Sequence, residues 1–407
     1  MGTSALAHDG VNPGRNGPGA RERILDVIRA AEPLSRVELA ARTGLTEAAV
    51  SMTVRRLLDE GLVVETGRAP TAGKPRTLLG LDSGARLSVG IHLDEGLTTY
   101  ALTGQTGGVI SRLARPAPAD IEPDSVVRDL VAGIDALLDG SGVDRARCWG
   151  IGIVWPGPRD GVAGLDEPPP HLRGWRSHDL GRRIAEVTGW PVHVENDATA
   201  AAVGEYWVAR LDRNRPFAAL YLGSGIGGGL MLDGVALQGR HANAGEFGHV
   251  IVQVDGPACW CGSRGCLEAV AGPRAVVEAA RADPVAAAEA ELDSRTGVHR
   301  TVTEFTAIAR AARAGGPRCT ALLTESARYV AAAAESLVNL LDIDLLVLTG
   351  PGFAAASFIY GPAIRSRLTA ADARTWHRAV SVTVSSAAAM ASATGAAALV
   401  LQSQLRS

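Results

Sequence analysis

Four side chains with soft donor atoms fall close together in the sequence: His249, then Cys259, Cys261 and Cys266 within Cys-Trp-Cys-Gly-Ser-Arg-Gly-Cys. One imidazole and three thiols are the donor set of a tetrahedral structural zinc, and the glycines of the spacer let the chain turn tightly about an ion. A disulfide is the other chemistry open to thiols. It would leave one of the three over, and a reducing compartment disfavours it. Carboxylates flank the cluster, in Glu246-Phe-Gly-His249 before it and Cys266-Leu-Glu268 after it, and Val194-Glu-Asn196-Asp197 lies upstream. Asn196 and Asp197 precede the alanine run 198–202, where they suit helix capping, a role compatible with any other. Cys148 and Cys319 stand apart and are expected to be packing or surface residues.

The elements that must position these groups begin after a Gly/Pro/Asn-rich stretch, residues 1–19, expected to be a flexible tail. A helix over 21–31 would bury Ile24, Val27, Ile28 and Ala31. Ser35 with Glu38 three residues on predicts a capping box and a second helix ending at Gly44. Thr46 caps a third, 47–60, with Val50, Val54, Leu57 and Leu58 inward and Gly61 as its stop. Strands at 62–65 and 77–81 would be joined by a loop holding Arg68, Lys74 and Arg76, which completes a winged helix-turn-helix over 20–82. Candidate DNA contacts are Thr46, Ser51, Thr53, Arg55 and Arg56 on the third helix and Arg68, Lys74 and Arg76 on the wing. A three-helix module for protein contacts is the alternative.

From Leu87 the pattern changes to strands separated by helices. Strands are expected at 87–91, 97–102, 109–110 and 149–154, with a helix at 125–138. A related order follows: strands at 217–222, 228–232, near 250–252 and at 345–348, with helices over roughly 266–340. This α/β repetition suggests two lobes, 83–195 and 196–407, with a cleft between them, and leaves open a return of the last helix to the first lobe.

Composition bounds the function. Forty Lys+Arg against forty-three Asp+Glu give a net charge of −3, so nucleic-acid binding has to be local to one segment. Residues 20–80 carry ten basic and eight acidic side chains. No window approaches a membrane span and the N-terminal stretch has no signal-type apolar core, so a soluble cytoplasmic protein is expected.

The spacing Glu-x-Gly-His, then Cys-x-Cys-Gly-x-x-Gly-Cys-x-Glu, together with Glu-Asn196-Asp197, resembles the ROK family of sugar kinases and sugar-responsive repressors. The resemblance implies an actin-like, two-lobed ATPase fold, and the N-terminal winged helix-turn-helix matches the repressor branch. Carried over residue by residue, it implies that Asn196, Asp197, Glu246, His249 and Glu268 bind sugar hydroxyls, with His249 also a zinc ligand. Asp197 stands where kinase members keep their general base, here vestigial. Carboxylates accept from hydroxyls with charge-assisted strength, and a zinc ion would turn the second imidazole nitrogen toward the ligand. Gly157 and the stretch 170–175, with His171 where members often have Asn, match segments lining the same pocket.

The glycine run 223–229 resembles the second phosphate loop of that fold. The first, of the form Asp-x-Gly-Gly-Thr in family kinases, corresponds here to His92-Leu93-Asp94-Glu95-Gly96. Two carboxylates replace two glycines. Each like-charge pair at ~4 Å costs about 4 kcal/mol at an effective dielectric near 20. ATP use and kinase activity are therefore expected to be lost. The expectation is a repressor of carbohydrate genes that binds operator DNA as a homodimer or homotetramer and answers to a monosaccharide or N-acetylated sugar. The rivals are a repressor controlled by a protein partner and an active ATP-dependent sugar kinase.

Overall fold

A computed structural model describes residues 19–70, 75–117, 122–157, 179–292, 301–372 and 379–406. The chain separates into two compact units, one up to Leu81 that also takes in the chain from Ser403, the other Asp82–Gln402.

The first unit runs α1 (Ala20–Ala31), β1 (Leu34–Ser35), α2 (Arg36–Thr43), α3 (Glu47–Asp59), β2 (Val63–Ala69) and β3 (Arg76–Leu81). The capping box at the start of α2 is complete: Ser35 Oγ accepts from Glu38 N, and Ser35 N donates to Glu38 Oε2 at 2.8 Å. Gly44 ends α2 in the left-handed region, and Thr46 Oγ1 accepts from Ala49 N to cap α3. Ile24, Leu25, Ile28, Leu39, Val50, Val54 and Leu57 make the core. Leu25 replaces the expected Val27, which is half-buried, because α1 packs on β3 as well as on the other helices and so buries a wider face. Leu58 is also only half-buried, one residue from the helix end.

The sheet order β1-β3-β2 includes a two-residue strand absent from the sequence reading, Leu34 and Ser35 opposite Leu79 and Leu78. Arg68 and Arg76 lie in paired strands and not in the loop. The hairpin extends further than expected across an irregularity at Glu65/Gly67, with Arg68 opposite Thr77 and Ala69 opposite Arg76. Lys74 lies outside the described residues.

The second unit begins with β4 (Leu87–Leu93), β5 (Leu97–Gly104), β6 (Val109–Pro116), α4 (Pro123–Ser141), β7 (Cys148–Trp155), α5 (Leu180–Thr188) and β8 (Val192–Asn196). It continues with α6 (Asp197–Val208), β9 (Phe217–Leu222), β10 (Ile226–Leu232) and β11 (Val235–Ala236). Helices α7 (Leu267–Ala271), α8 (Pro273–Ala282), α9 (Pro284–Glu289), α10 (Thr301–Arg313) and α11 (Pro317–Leu341) follow. The last elements are β12 (Leu345–Thr349), α12 (Pro351–Asp372), β13 (Ser381–Val384) and α13 (Ala391–Arg406).

Two five-stranded sheets have the orders β6-β5-β4-β7-β8 and β11-β10-β9-β12-β13. In each, the first three strands form an antiparallel meander, and the fourth and fifth join in parallel beside the first. One topology therefore occurs twice. The central strands are almost wholly buried and mostly apolar, with Ser88 and His92 the polar members of β4, as strands covered on both faces should be. The first sheet packs one face on Val126, Leu130, Ile134 and Leu137 of α4 and Ile184 of α5. The second packs on α7–α12 through residues such as Phe305, Ile308, Leu323 and Phe353.

Helix α13 closes the other side of the first sheet. A Cβ on Gly90 would stand 1.8 Å from Ala393 O and one on Gly152 1.9 Å from Ala396 O, so β4 and β7 meet the helix backbone to backbone. Gly395 of α13 sits the same way on Ala200 O of α6. The expected strand near 250–252 is replaced by one bridge, Ile251 to Cys266. There the chain is fastened to the cysteine loop instead, with Val252 N donating to Gly265 O and Leu267 N to Val250 O. No helix among the described residues is long and apolar enough to cross a membrane.

Candidate functional site

The cysteine loop leaves a 3-10 turn, Phe247–His249, and re-enters α7 at Cys266. His249 Nδ1 lies 3.6 Å from Cys259 Sγ, Cys261 Sγ lies 3.7 Å from Cys266 Sγ, and all four donor atoms fall within 4.8 Å of one another. That donor set fits one tetrahedral metal ion. Burial pushes the Cys259 thiol up to about 12, so thiolates here call for a compensating cation. Burial lowers the His249 pKa, against the pull of Glu268, which favours the neutral imidazole that ligates metal. At Gly265, φ +69°, a Cβ would stand 1.6 Å from Gln253 O, a place only glycine fills. Cys148 and Cys319 are buried away from this group, each with its Sγ donating to a backbone carbonyl.

The second nitrogen of His249 points away from the thiols: Nε2 is 3.7 Å from Glu246 Oε2. Burial, then the charges of Glu268 and Asp197, raise the Glu246 pKa to about 7, so near neutrality this carboxyl can donate as well as accept. Glu268, at the start of α7, is gripped at both oxygens. Ile226 N donates to Oε2 at 2.8 Å and Trp260 Nε1 donates to Oε1 at 2.7 Å. Gly225 makes room for it, since a Cβ there would lie 2.0 Å from Oε2.

Asn196 is the N-cap of α6. Its Oδ1 accepts from Ala198 N and Thr199 N, and its Nδ2 donates to Gly157 O at 2.9 Å, tying α6 to the end of β7. Asp197, 5% exposed, leaves its carboxylate to face His92, with Nε2 3.4 Å from Oδ2. Burial works to lower the His92 pKa, but Asp197 and Asp94 outweigh it and the net shift is upward. Asn196, Asp197, Glu246, His249 and Glu268 are thus neighbours, joined by contacts and by the mutual influence of their charges, with Gly157 held on Asn196, while His171 and the rest of 170–175 lie outside the described residues.

The tip of the β4–β5 hairpin adjoins this group through the His92–Asp197 contact. Asp94 Oδ1 accepts from Glu95 N at 2.8 Å, and burial raises the Asp94 pKa. Glu95 pairs with Arg274 of α8 and accepts from Thr301 Oγ1 of α10 at 3.0 Å. A cavity of about 170 Å³ opens here, lined by His92, Asp94, Glu95, Thr99, Thr301 and Thr303 among others, with no Arg or Lys in its wall among the described residues.

In the first unit Ser51, Arg55 and Arg56 are exposed on α3, as are Arg68 and Arg76 on the wing strands. Thr53 is half-buried, and exposed Thr46 spends its hydroxyl as a cap.

Sequence reasoning missed three features. It read His92 only as part of an altered phosphate loop, whereas the side chain faces Asp197. It read Glu95 only as a repulsive charge, although Arg274 and Thr301 neutralise and hold it. It passed over Trp260, whose bulk between two cysteines was the available signal.

The ROK family model matches residues 89–403, and the MarR family model matches residues 19–74. The xylose repressor of Caldicellulosiruptor bescii is 26% identical over 80% of this chain and 81% of its own length. The glucokinase of Thermotoga maritima is 36% identical over 46% of this chain, and the match spans only 58% of that enzyme. A crystal structure of a ROK family transcriptional regulator, a homologue of the E. coli MLC protein, superposes with a TM-score of 0.70 at 25% identity, covering 95% of this chain and 96% of that one. With the motif residues brought close together and the family model spanning most of the sequence, the chain belongs to the ROK family and carries a MarR-type winged-helix N-terminus.

Proposed function

We propose that this protein is a sugar-responsive transcriptional repressor. It would bind operator DNA through α3 and the wing, using Ser51, Thr53, Arg55 and Arg56 with Arg68, Lys74 and Arg76 beside the cap Thr46, and would hold a monosaccharide or N-acetylated sugar at the pocket. The observation that carries this reading is the two-sided placement of His249, with Nδ1 toward three thiols and Nε2 toward Glu246, in a chain that also has a DNA-binding head. His249, Cys259, Cys261 and Cys266 would hold a zinc ion, which supplies rigidity and orients the imidazole.

Asp197, Glu246 and Glu268 offer acceptors to hydroxyls. Asn196, with its amide committed to capping and to Gly157, shapes the pocket wall as much as it binds. Kinase activity is absent in this reading. The tip that would meet a triphosphate carries Asp94 and Glu95 where family kinases keep glycines, the adjoining cavity has no Arg or Lys in its wall among the described residues, and phosphoryl transfer depends on a positive clamp. The repressor would act as a homodimer or homotetramer in the cytoplasm, since paired heads match the fixed spacing of operator half-sites. Sugar would bind one arrangement of the lobes better than the other and so shift DNA affinity.

Gel retardation of DNA from upstream of its own gene, at fixed salt, against monosaccharides and their N-acetyl forms tests the proposal. A band that one sugar weakens or strengthens supports it. Specific DNA binding indifferent to every sugar favours control by a protein partner, and sugar-dependent ATP consumption would favour the kinase.

A further inference from the structure

Trp260 stands between two of the four metal-site donors in sequence, Cys259 and Cys261, yet its ring is not folded into a core: it remains 38% exposed. Two contacts fix it. Its ring meets that of His249 edge to face, with centroids 5.0 Å apart and planes at 80°, and its Nε1 donates to Glu268 Oε1 at 2.7 Å. The opposite oxygen of Glu268 accepts from Ile226 N of β10. A glutamate side chain left free loses up to about 2 kcal/mol of rotamer entropy when a ligand orders it. Here that ordering is done beforehand, by a strand on one side and by the cysteine loop on the other. Each carboxylate oxygen has a second lone pair, so a hydroxyl can still be accepted.

We propose that Trp260 is a positioning residue for the ligand pocket: its indole is a strut through which the His249/Cys259/Cys261/Cys266 loop holds Glu268 as an acceptor for a polyhydroxylated ligand. This rests on the reading of the pocket as a sugar site. It adds that metal occupancy and sugar affinity communicate through one side chain. With Cys259 and Cys261 held as ligands, the backbone between them would set the indole, and the indole the carboxylate. Loss of the metal would release Glu268 as well as His249.

The test uses the full-length zinc-loaded chain and Trp260→Phe, which keeps an aromatic ring against His249 and removes the donor. The first readout needs no sugar. In protein labelled with ¹⁵N-tryptophan, the indole N–H signal missing from Trp260→Phe should move in Glu268→Gln and on removal of the metal by a chelator. A signal that stays put in Glu268→Gln overturns the strut. The second readout is calorimetric titration with the sugar found by gel retardation. Trp260→Phe with full zinc content should bind about 10-fold more weakly, the scale of a hydrogen bond to a charged acceptor. Chelation should then weaken the variant by a smaller factor than the wild type. Wild-type affinity in a zinc-replete variant, or equal chelation factors in both proteins, overturns the proposal. If the wild type binds no sugar, the sugar-site reading fails, while the indole signal still decides whether the strut exists.

Discussion

Replacing Glu95 by Gln probes whether the β4–β5 tip fastens one sheet's lobe to the helices of the other. Glu95 is 17% exposed in its side chain and faces Arg274, which is 51% exposed. Solvent screens a pair with one partner so open, and its share is about 0–1 kcal/mol. Thr301, 3% exposed, donates its hydroxyl to the other carboxylate oxygen at 3.0 Å. A hydrogen bond to a charged acceptor contributes about 1.5–3 kcal/mol, of which a neutral amide oxygen would keep part. The net loss is therefore about 1–2 kcal/mol, a factor of roughly 5–30 in the population of the opened tip. Hydrogen exchange followed by mass spectrometry should show that acceleration in the first turn of α10 and at residues 93–97, with distant amides of α11 unchanged. Arg274→Gln should produce a smaller effect at the same amides, and the double variant should fall short of the sum. Exchange unchanged at the tip, or accelerated equally throughout the chain, would show that these contacts do not join the lobes and would refute the reasoning.

Three further outcomes are expected. The raised pKa of His92 contributes stability that is complete below its ordinary value of 6.5 and is lost as pH rises through the raised value. Urea melts of wild type and His92→Gln should therefore differ most below that value and converge above it, and a difference independent of pH would count against the His92–Asp197 pair. Gly152→Ala drives a Cβ to 1.9 Å from Ala396 O and should cost upwards of about 3 kcal/mol, whereas Gly140→Ala, with open space at the exposed end of α4, should stabilise by about 0.5–1 kcal/mol. Thermal melts that rank the two variants the other way would contradict the close packing. Elemental analysis should find one zinc per chain, lost in Cys261→Ser together with sugar affinity; a full zinc content in that variant would remove Cys261 from the ligand set.

Much of the fold was legible because local signals agreed with tertiary need. The Ser35–Glu38 box, the Gly44 stop and the Thr46 cap each specify a helix end without reference to the rest of the chain. What depends on distant partners was not legible. The pairing of Leu34-Ser35 with β3 comes from a neighbour more than forty residues away, and two residues carry no periodicity. The apolar run at 250–252 reads as a strand by composition, but its backbone groups are taken by the cysteine loop. At the proposed sugar site, the motif spacing singled out residues that the fold makes neighbours. It could not say that Asn196 would use its amide oxygen as a cap and its nitrogen on Gly157, or that Trp260 would reach Glu268. The same limit applies to Glu95, where a charge that looks only repulsive in sequence finds a cation and a hydroxyl on helices 179 and 206 residues away.

The backbone-to-backbone seating of α13 on β4, β7 and α6 has a mechanical consequence. With no side chains between the crossing elements at Gly90, Gly152 and Gly395, there is no compliant layer to absorb sliding, and the contact behaves as a bearing. Shear across it would drive main-chain atoms together, while small rotations about it leave them in touch. Displacement then grows with distance from the axle, so a turn of a few degrees becomes a longer sweep at the rim of each lobe.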